Sequence, residues 1–347
     1  MQYRRLGRTD LRVSLLCLGS MTWGSQNTTE EGHAQIDRSL EAGINFVDTA
    51  EMYPVNPIRR ETQGATETVI GDWFARGGAR DAMILATKVS GEGATGARDG
   101  EPISGPAMRR ALEGSLQRLQ TDYVDLYQLH WPNRGSYHFR KYWNYDATGQ
   151  SRDDTRAHIR DVLETAAKLI EEGKIRHIGL SNESAWGTQQ FLEIAEAEGL
   201  PRVVSIQNEY SLLCRIFDLD LAELCHNEDV GLLSFSPLAA GILSGKYQGD
   251  ATPPGSRRSH NATLGGRVTP RLEPAVGAYL EIANRHGLDA CQMALAWCYT
   301  RPFMASAIFG ATSMAQLEVI LGAADMELSP EVVAEIATAH RAHPMPY

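Results

Sequence analysis

The sequence predicts a closed (β/α)8 TIM barrel with an N-terminal β-hairpin, and three observations carry that expectation. Short apolar runs alternate with helical patterns through eight βα units, which favours a parallel barrel over an open sheet. Two short strand-like segments precede the first unit and are placed to pair. Three long connections, residues 54–64, 132–154 and 239–269, each follow a strand end. Loops of that length in a compact domain are commonly functional, and this is the face on which barrels build active sites.

In chain order, residues 3–6 are expected to pair with 12–13 through a turn at 7–10 and to plug the N-terminal end of the barrel. Leu15-Leu16-Cys17-Leu18 is the first barrel strand, and the amphipathic stretch 29–42 is a helix ended by Gly43. Ile44-Asn45-Phe46-Val47 precedes a helix at about 66–76. Met83-Ile84-Leu85-Ala86 precedes one at about 106–119, with Leu112, Leu116 and Leu119 on one face. Tyr123-Val124-Asp125-Leu126-Tyr127 precedes a helix at about 156–172, stopped by Gly173. The fifth strand is 175–180, with a helix from near Glu183. The sixth is 203–206, with a short helix at about 219–226. The seventh is 231–235, with two helices at about 274–286 and 289–300, and the eighth is 305–309. No linker or shift of composition divides the chain, so residues 1–347 are expected to form one domain.

Hydrophobic residues make up 43% of the chain and charged residues 22%, the proportions of a soluble globular protein. A formal net charge of -10 argues against nucleic acid or an anionic membrane as the main partner. The N-terminus shows no apolar signal region, and no stretch approaches the length of a membrane span. Five scattered cysteines (Cys17, Cys214, Cys225, Cys291, Cys298) include no CxxC pair. That speaks against a disulfide framework or a zinc site and fits buried thiols in a reducing cytoplasm. Oligomeric state leaves no readable trace.

Gly91-Glu92-Gly93-Ala94-Thr95-Gly96 matches the dinucleotide fingerprint GxGxxG after a strand. Its third glycine opens no helix, however, and no strand follows closely enough to complete a compact unit. The segment is expected to be a flexible loop.

Asp48, Tyr53, Lys88 and His130 lie at or just beyond the ends of three consecutive apolar runs. Together they could form one proton-transfer site. A tyrosine, with a free pKa of about 10, needs a positive neighbour to serve as an acid toward a carbonyl oxygen. Lys88 could supply that charge, Asp48 could keep the ammonium in place, and His130 could donate to the same carbonyl. None of the four is redox-active, so a reduction would require a hydride carrier. Each also has a plainer reading: a cap or ion-pair partner for Asp48, a solvated lysine, pocket walls for Tyr53 and His130. A Schiff-base lysine at Lys88, as in barrel lyases, fits the chemistry nearly as well.

Residues 42–53, Ala-Gly-Ile-Asn-Phe-Val-Asp-Thr-Ala-Glu-Met-Tyr, resemble the aldo-keto reductase signature around its aspartate and tyrosine. Ala86-Thr87-Lys88 resembles that family's lysine strand, residues 116–132 its histidine block, and residues 173–182 its fifth strand. The insertions after Tyr53 and His130, with residues 207–213, most resemble the Tas-type NADP(H)-dependent subgroup. The resemblance implies a barrel that binds NADPH/NADP+ and reduces an aldehyde or ketone, a small-molecule carbonyl substrate. Tyr53 would be the general acid, supported by Asp48, Lys88 and His130. The potassium-channel β-subunits share the family's fold and cofactor, which keeps a regulatory role open.

By the same likeness Ser181, Asn182 and Gln207 would hold the nicotinamide carboxamide. Residues 235–247 resemble the pyrophosphate loop, with Phe235 in the place of the stacking aromatic and Ser236, Pro237, Leu238, Gly241, Leu243 and Lys246 following it. Gly19, Ser20 and Met21 are similar to the first-strand loop, and Gly310, Thr312 and Gln316 belong to the last cofactor segment. Val319 and Ile320 depart from the pattern, standing where a Glu and an Asn often contact adenine. Arg267 is a candidate for the 2′-phosphate, or else a solvated loop arginine. Trp23, Trp131, Tyr53 and His130 are candidates for the substrate pocket. With Met52 and the aromatic stretch Tyr137, Phe139, Tyr142, Trp143 and Tyr145 they suggest an apolar, ring-stacking site; lid packing would give the same composition.

Overall fold

The computed structural model describes residues 1–94 and 96–347. β1 (Tyr3–Arg5) and β2 (Arg12–Ser14) form the expected antiparallel hairpin, with Tyr3 opposite Ser14 and Arg5 opposite Arg12. Eight parallel strands then close into a barrel. They are β3 (Leu16–Gly19), β4 (Phe46–Asp48), β5 (Ile84–Val89), β6 (Val124–Leu129), β7 (Ile175–Ser181), β8 (Val203–Glu209), β9 (Gly231–Phe235) and β10 (Met304–Phe309). Strand β10 pairs back onto β3 and leaves no open edge.

Helices α1 (Thr29–Glu41), α2 (Ala65–Ala75), α3 (Gly105–Leu119), α4 (Arg152–Glu171), α5 (Ala185–Glu198) and α6 (Asp220–Glu228) follow β3 to β8 in turn. After β9 come the one-turn α7 (Arg257–His260), α8 (Leu272–Arg285) and α9 (Ala290–Tyr299). After β10 come α10 (Met314–Leu321) and α11 (Pro330–Ala342). Helix α1 starts with a capping box: Thr28 Oγ1 accepts from the Glu31 N–H at 3.2 Å, and Glu31 returns the contact to the Thr28 N–H at 2.9 Å. It stops where Gly43 takes φ +85°, a conformation that costs little without a Cβ. Helix α4 begins at Arg152, ahead of the expected 156, because Ser151 caps it and Asp153 and Asp154 suit its positive N-terminus.

Strand sides alternate, so each barrel strand sends every second side chain inward. At the N-terminal end the inward set is apolar: Leu6, Val13, Cys17, Phe46, Ala86, Leu126, Val204, Leu233, Ala305 and Ile308 form one cluster. Leu6 and Val13 come from the hairpin segment, which is therefore the expected plug. Arg4 fastens it by donating to the carbonyls of Tyr299 (2.6 Å), Arg301 (2.9 Å) and Met304 (2.7 Å) at the start of β10. A second, larger core lies between strands and helices, including Leu16, Leu18, Ile36, Val47, Leu85, Leu112 and Leu163. All five cysteines are unbridged, and four of them are buried. Among the described residues no helix is long and apolar enough to cross a membrane.

Candidate active site

Two residues further along the same strands, the interior turns polar. Asp48 succeeds Phe46 on β4, Lys88 succeeds Ala86 on β5, and Gln128 succeeds Leu126 on β6. Parallel register sets Lys88 beside Gln128 and Asp48 beside Ala86. Asp48 and Lys88 thus belong to the strands themselves rather than lying past them, because β4 and β5 run further than the apolar runs suggest. His130 directly follows β6.

Lys88 Nζ donates to Asp48 Oδ2 at 2.5 Å and to the Thr49 carbonyl at 2.8 Å. The other carboxylate oxygen of Asp48 accepts from Gln207 at 2.8 Å and from Gln128 at 3.1 Å. Gln207 also donates to Gln128 Oε1 at 3.1 Å. All four side chains are buried, and such a set is tolerable because the charges are paired and the amides satisfied. Gln128 was not anticipated; its signal was its place two residues before His130, on the same face of β6.

Tyr53 and His130 sit over this layer. Their rings meet edge to face at 5.7 Å, and Lys88 Nζ lies 4.8 Å from the Tyr53 ring centroid. Burial raises the Tyr53 phenol above its ordinary value, while the Lys88 charge opposes that rise without cancelling it. Lys88 therefore acts on the phenol in the expected direction, against a larger desolvation cost. Burial also works against the Lys88 ammonium, but Asp48 and Tyr53 together outweigh it and lift the group above its ordinary value. His130 is held well below its ordinary value, by burial first and by Lys88 second, so the imidazole is neutral. Its Nδ1 is buried without a partner among the described residues.

Residues expected on the cofactor side gather around the same mouth. Asn182 takes φ +53° just past β7, donating from Nδ2 to the His130 carbonyl (2.9 Å) and to Ser181 Oγ (3.0 Å). Its Oδ1 is buried with no donor among the described residues, as an amide-binding group would be. Gln207, by contrast, spends its amide nitrogen on the polar layer. After β9 and the half-buried Phe235, three non-glycine residues take the left-handed region: Ser236 (φ +53°), Ala239 (φ +48°) and Ala240 (φ +60°). Gly241 follows at φ +85°. Such strain, of order 1–3 kcal/mol each, clusters at ligand sites, and consecutive turns of this kind point backbone N–H groups at anions. A Cβ on Gly241 would stand 3.1 Å from Lys246 Nζ, so its absence gives the lysine room. Pro237 and Leu243 are buried beneath this loop, with Leu238 partly so. Ser20 is buried and donates to the Asp48 carbonyl at 2.8 Å, while Gly19 and Met21 are partly exposed. Gly310, Thr312 and Gln316 follow β10, and Gln316 Oε1 accepts from the Thr312 N–H at 2.9 Å.

Several expectations need correction. Trp23 does not line a pocket: it is fully buried in the outer core, donates to Gln35 Oε1 at 3.0 Å and packs on Gly32 of α1. Arg267 is neither solvated nor free for a phosphate; it is buried and ion-paired with Glu209 at 2.7 Å. Ile320 faces the core, while Val319 is 39% exposed. The Gly91–Gly96 segment includes Thr95, which lies outside the described residues, and its neighbours are packed rather than loose. Gly91 is where the Trp131 indole rests, at 2.3 Å from any added Cβ, and Trp131 Nε1 donates to the Glu92 carbonyl at 3.1 Å. Ala94 and Ala97 pack with Ala50 and Met52 beside Tyr53.

Arg257 was not anticipated either. Its half-buried side chain has no hydrogen-bond or ion-pair partner among the described residues and lies within electrostatic reach of Arg267, Tyr247, Tyr53 and Glu209. Burial pulls its guanidinium down to about 10, and the neighbouring Arg267 charge adds to the fall.

The sequence pattern of the aldo/keto reductase family matches residues 15–341. Protein tas of Escherichia coli (strain K12) is 45% identical across 100% of this chain and 99% of its own length. The "Uncharacterized oxidoreductase YrpG" of Bacillus subtilis (strain 168) is 32% identical over 96% of this chain and 94% of its own. The "Probable voltage-gated potassium channel subunit beta" of Oryza sativa subsp. japonica is 30% identical over 99% of this chain and 98% of its own. A match that runs from the first barrel strand into the last helix places the chain in the aldo/keto reductase family of oxidoreductases.

Proposed function

We propose that this protein, read as one domain, reduces an aldehyde or ketone to an alcohol with NADPH, and that Tyr53 is the general acid. The observation that carries this reading is the buried, ion-paired Lys88 ammonium 4.8 Å from the Tyr53 ring centroid. NADPH would supply the hydride that none of these side chains can provide. Asn182 Oδ1 and Ser181 would receive the carboxamide, Phe235 would stack on the ring, and residues 236–246 would hold the pyrophosphate. Arg257, rather than Arg267, is the guanidinium free to meet a cofactor phosphate.

The carbonyl oxygen of the substrate would lie between the Tyr53 hydroxyl and the neutral His130. Tyr53 stays protonated through the neutral range and so holds a proton ready. As the alkoxide forms, that proton passes from the phenol oxygen to the carbonyl oxygen, leaving a phenolate that the Lys88 ammonium stabilises, while Asp48 keeps that ammonium charged and in place. Acid catalysis of this kind contributes about 10²–10⁴-fold.

The raised Lys88 ammonium counts against the Schiff-base alternative, which needs a neutral amine. The relative named as a channel subunit keeps a binding role as the second reading. Turnover of a panel of generic aldehydes, measured beside NADPH binding, separates the readings. NADPH-dependent turnover supports the reductase; tight NADPH binding with no turnover of any carbonyl supports the regulatory role. Borohydride trapping of substrate on Lys88 would instead support the lyase.

A further inference from the structure

The connection from β6 to α4 meets the barrel rim through alternate side chains. Arg134 Nη1 donates to Glu183 Oε2 at 2.9 Å, Ser136 Oγ to the Asn182 carbonyl at 2.8 Å, and His138 Nε2 to the Glu183 carbonyl at 3.0 Å. Arg140 Nη1 donates to Glu209 Oε2 at 2.8 Å, and the Tyr142 hydroxyl donates to the Tyr347 carbonyl. The connection is therefore a strap fastened across the ends of β7 and β8, beside His130 and Trp131.

Glu209, the last residue of β8, is where this strap meets two other segments. One carboxylate oxygen holds Arg140; the other holds Arg267, from the β9–α8 connection, through Nη2 (2.7 Å) and Nε (2.9 Å). The Tyr347 hydroxyl lies 3.4 Å from that second oxygen. The C-terminus is tied to both loops, since Tyr142 donates to the Tyr347 carbonyl and Thr269 to the Pro346 carbonyl. Tyr347 is itself buried, with the Arg267 guanidinium 5.9 Å from its ring centroid. A buried carboxylate persists only while it is paired. Moving either loop away would strip Glu209 of one arginine and uncover the Tyr347 ring.

We infer that Glu209 and the C-terminal Tyr347 form a latch that couples the strap on the carbonyl side to the β9–α8 connection on the cofactor side. The two loops then loosen together, and cofactor entry and release require the latch to open. Glu209 is a positioning residue in this arrangement, acting through Arg140 and Arg267. The inference rests on the proposed cofactor segment for its link to release, while the coupling of the loops stands on the contacts alone.

The test is amide hydrogen exchange on the ligand-free full chain, comparing wild type with Glu209→Gln and Tyr347→Ala. In both variants residues 134–145 and 257–269 should lose protection together, while β5 and β6 keep theirs. Loss in one segment only, or in neither, would overturn the latch. If Glu209→Gln does not fold, Tyr347→Ala carries the same expectation, because it leaves both arginine pairs of Glu209 in place. The NADPH dissociation rate, followed by stopped flow, should rise on the order of tenfold, within the span usual for coupled sites. An unchanged rate alongside loosened loops would overturn the link to release. Wild-type protein that binds no NADPH would overturn the cofactor reading instead, and the exchange data would still decide the coupling.

Discussion

Phe46, Ala86 and Leu126 fill the N-terminal half of the barrel interior, and Asp48, Lys88 and Gln128 fill the half above it, each two residues further along the same strand. The lower set is closed by the hairpin and gains stability by excluding water. The upper set is buried to a similar degree but consists of an ion pair and an amide, joined by the Gln207 amide from β8. One strand period thus separates a region whose contents stabilise the fold from one whose contents are suited to proton transfer.

That division can be broken most severely at Lys88. Lys88→Met leaves the Asp48 carboxylate buried without its ammonium, at a cost of about 3–5 kcal/mol, and removes the charge beside Tyr53. Chemical denaturation and turnover should both register the loss. A variant with full stability would show that Asp48 finds other compensation.

Leu6→Ala tests the opposite end. It truncates a fully buried side chain of the plug and should cost about 2–5 kcal/mol. Turnover per folded molecule should be unchanged. A fall in turnover at a temperature where the variant is fully folded would mean that the two ends are not independent.

A smaller effect is expected from pH. The folded chain holds His130 well below its ordinary value through burial and the Lys88 charge, whereas the unfolded chain protonates it near pH 6.5. The unfolded state therefore binds the extra proton first, and stability falls as pH drops below about 6.5. His130→Gln removes that contribution, so its melting temperature should fall less than that of wild type on acidification. Parallel curves would show that His130 is not protected from protonation. Gln128→Glu acts on the same pH axis. It adds a second carboxylate beside Asp48 and should make turnover more acid-sensitive while the cofactor still binds, as pH–rate profiles would reveal.

Much of this arrangement could be read from sequence because it depends on local period and local capping. The strand runs, the hairpin and the stop at Gly43 are of that kind. Helix α11 carried a readable signal as well, with Ser329 capping it, Pro330 at its start, and Val332, Ile336 and Ala339 on its buried face. The barrel pattern does not call for it, because the eight βα units are complete without it. Helix α10 is shorter and buries only Leu317 and Ile320, too little for a period to emerge. Apolar runs alone end these strands short, because the inward residues Lys88 and Gln128 are polar. Arg267 was misread for a different reason. Its partner Glu209 is 58 positions away, and no spacing rule connects a loop arginine to a residue on another strand. Trp23 follows a strand on the active face, but only the packing of α1 decides that its ring turns outward to Gln35.

The central claim is that Tyr53 supplies the proton, and Tyr53→Phe tests it most directly because the ring stays and only the hydroxyl goes. NADPH binding and NADPH-dependent turnover of an aldehyde should be measured on the same preparation. The expected result is a fall in turnover of at least about 10²-fold with the NADPH dissociation constant nearly unchanged. Turnover at the wild-type rate in that variant would contradict the account.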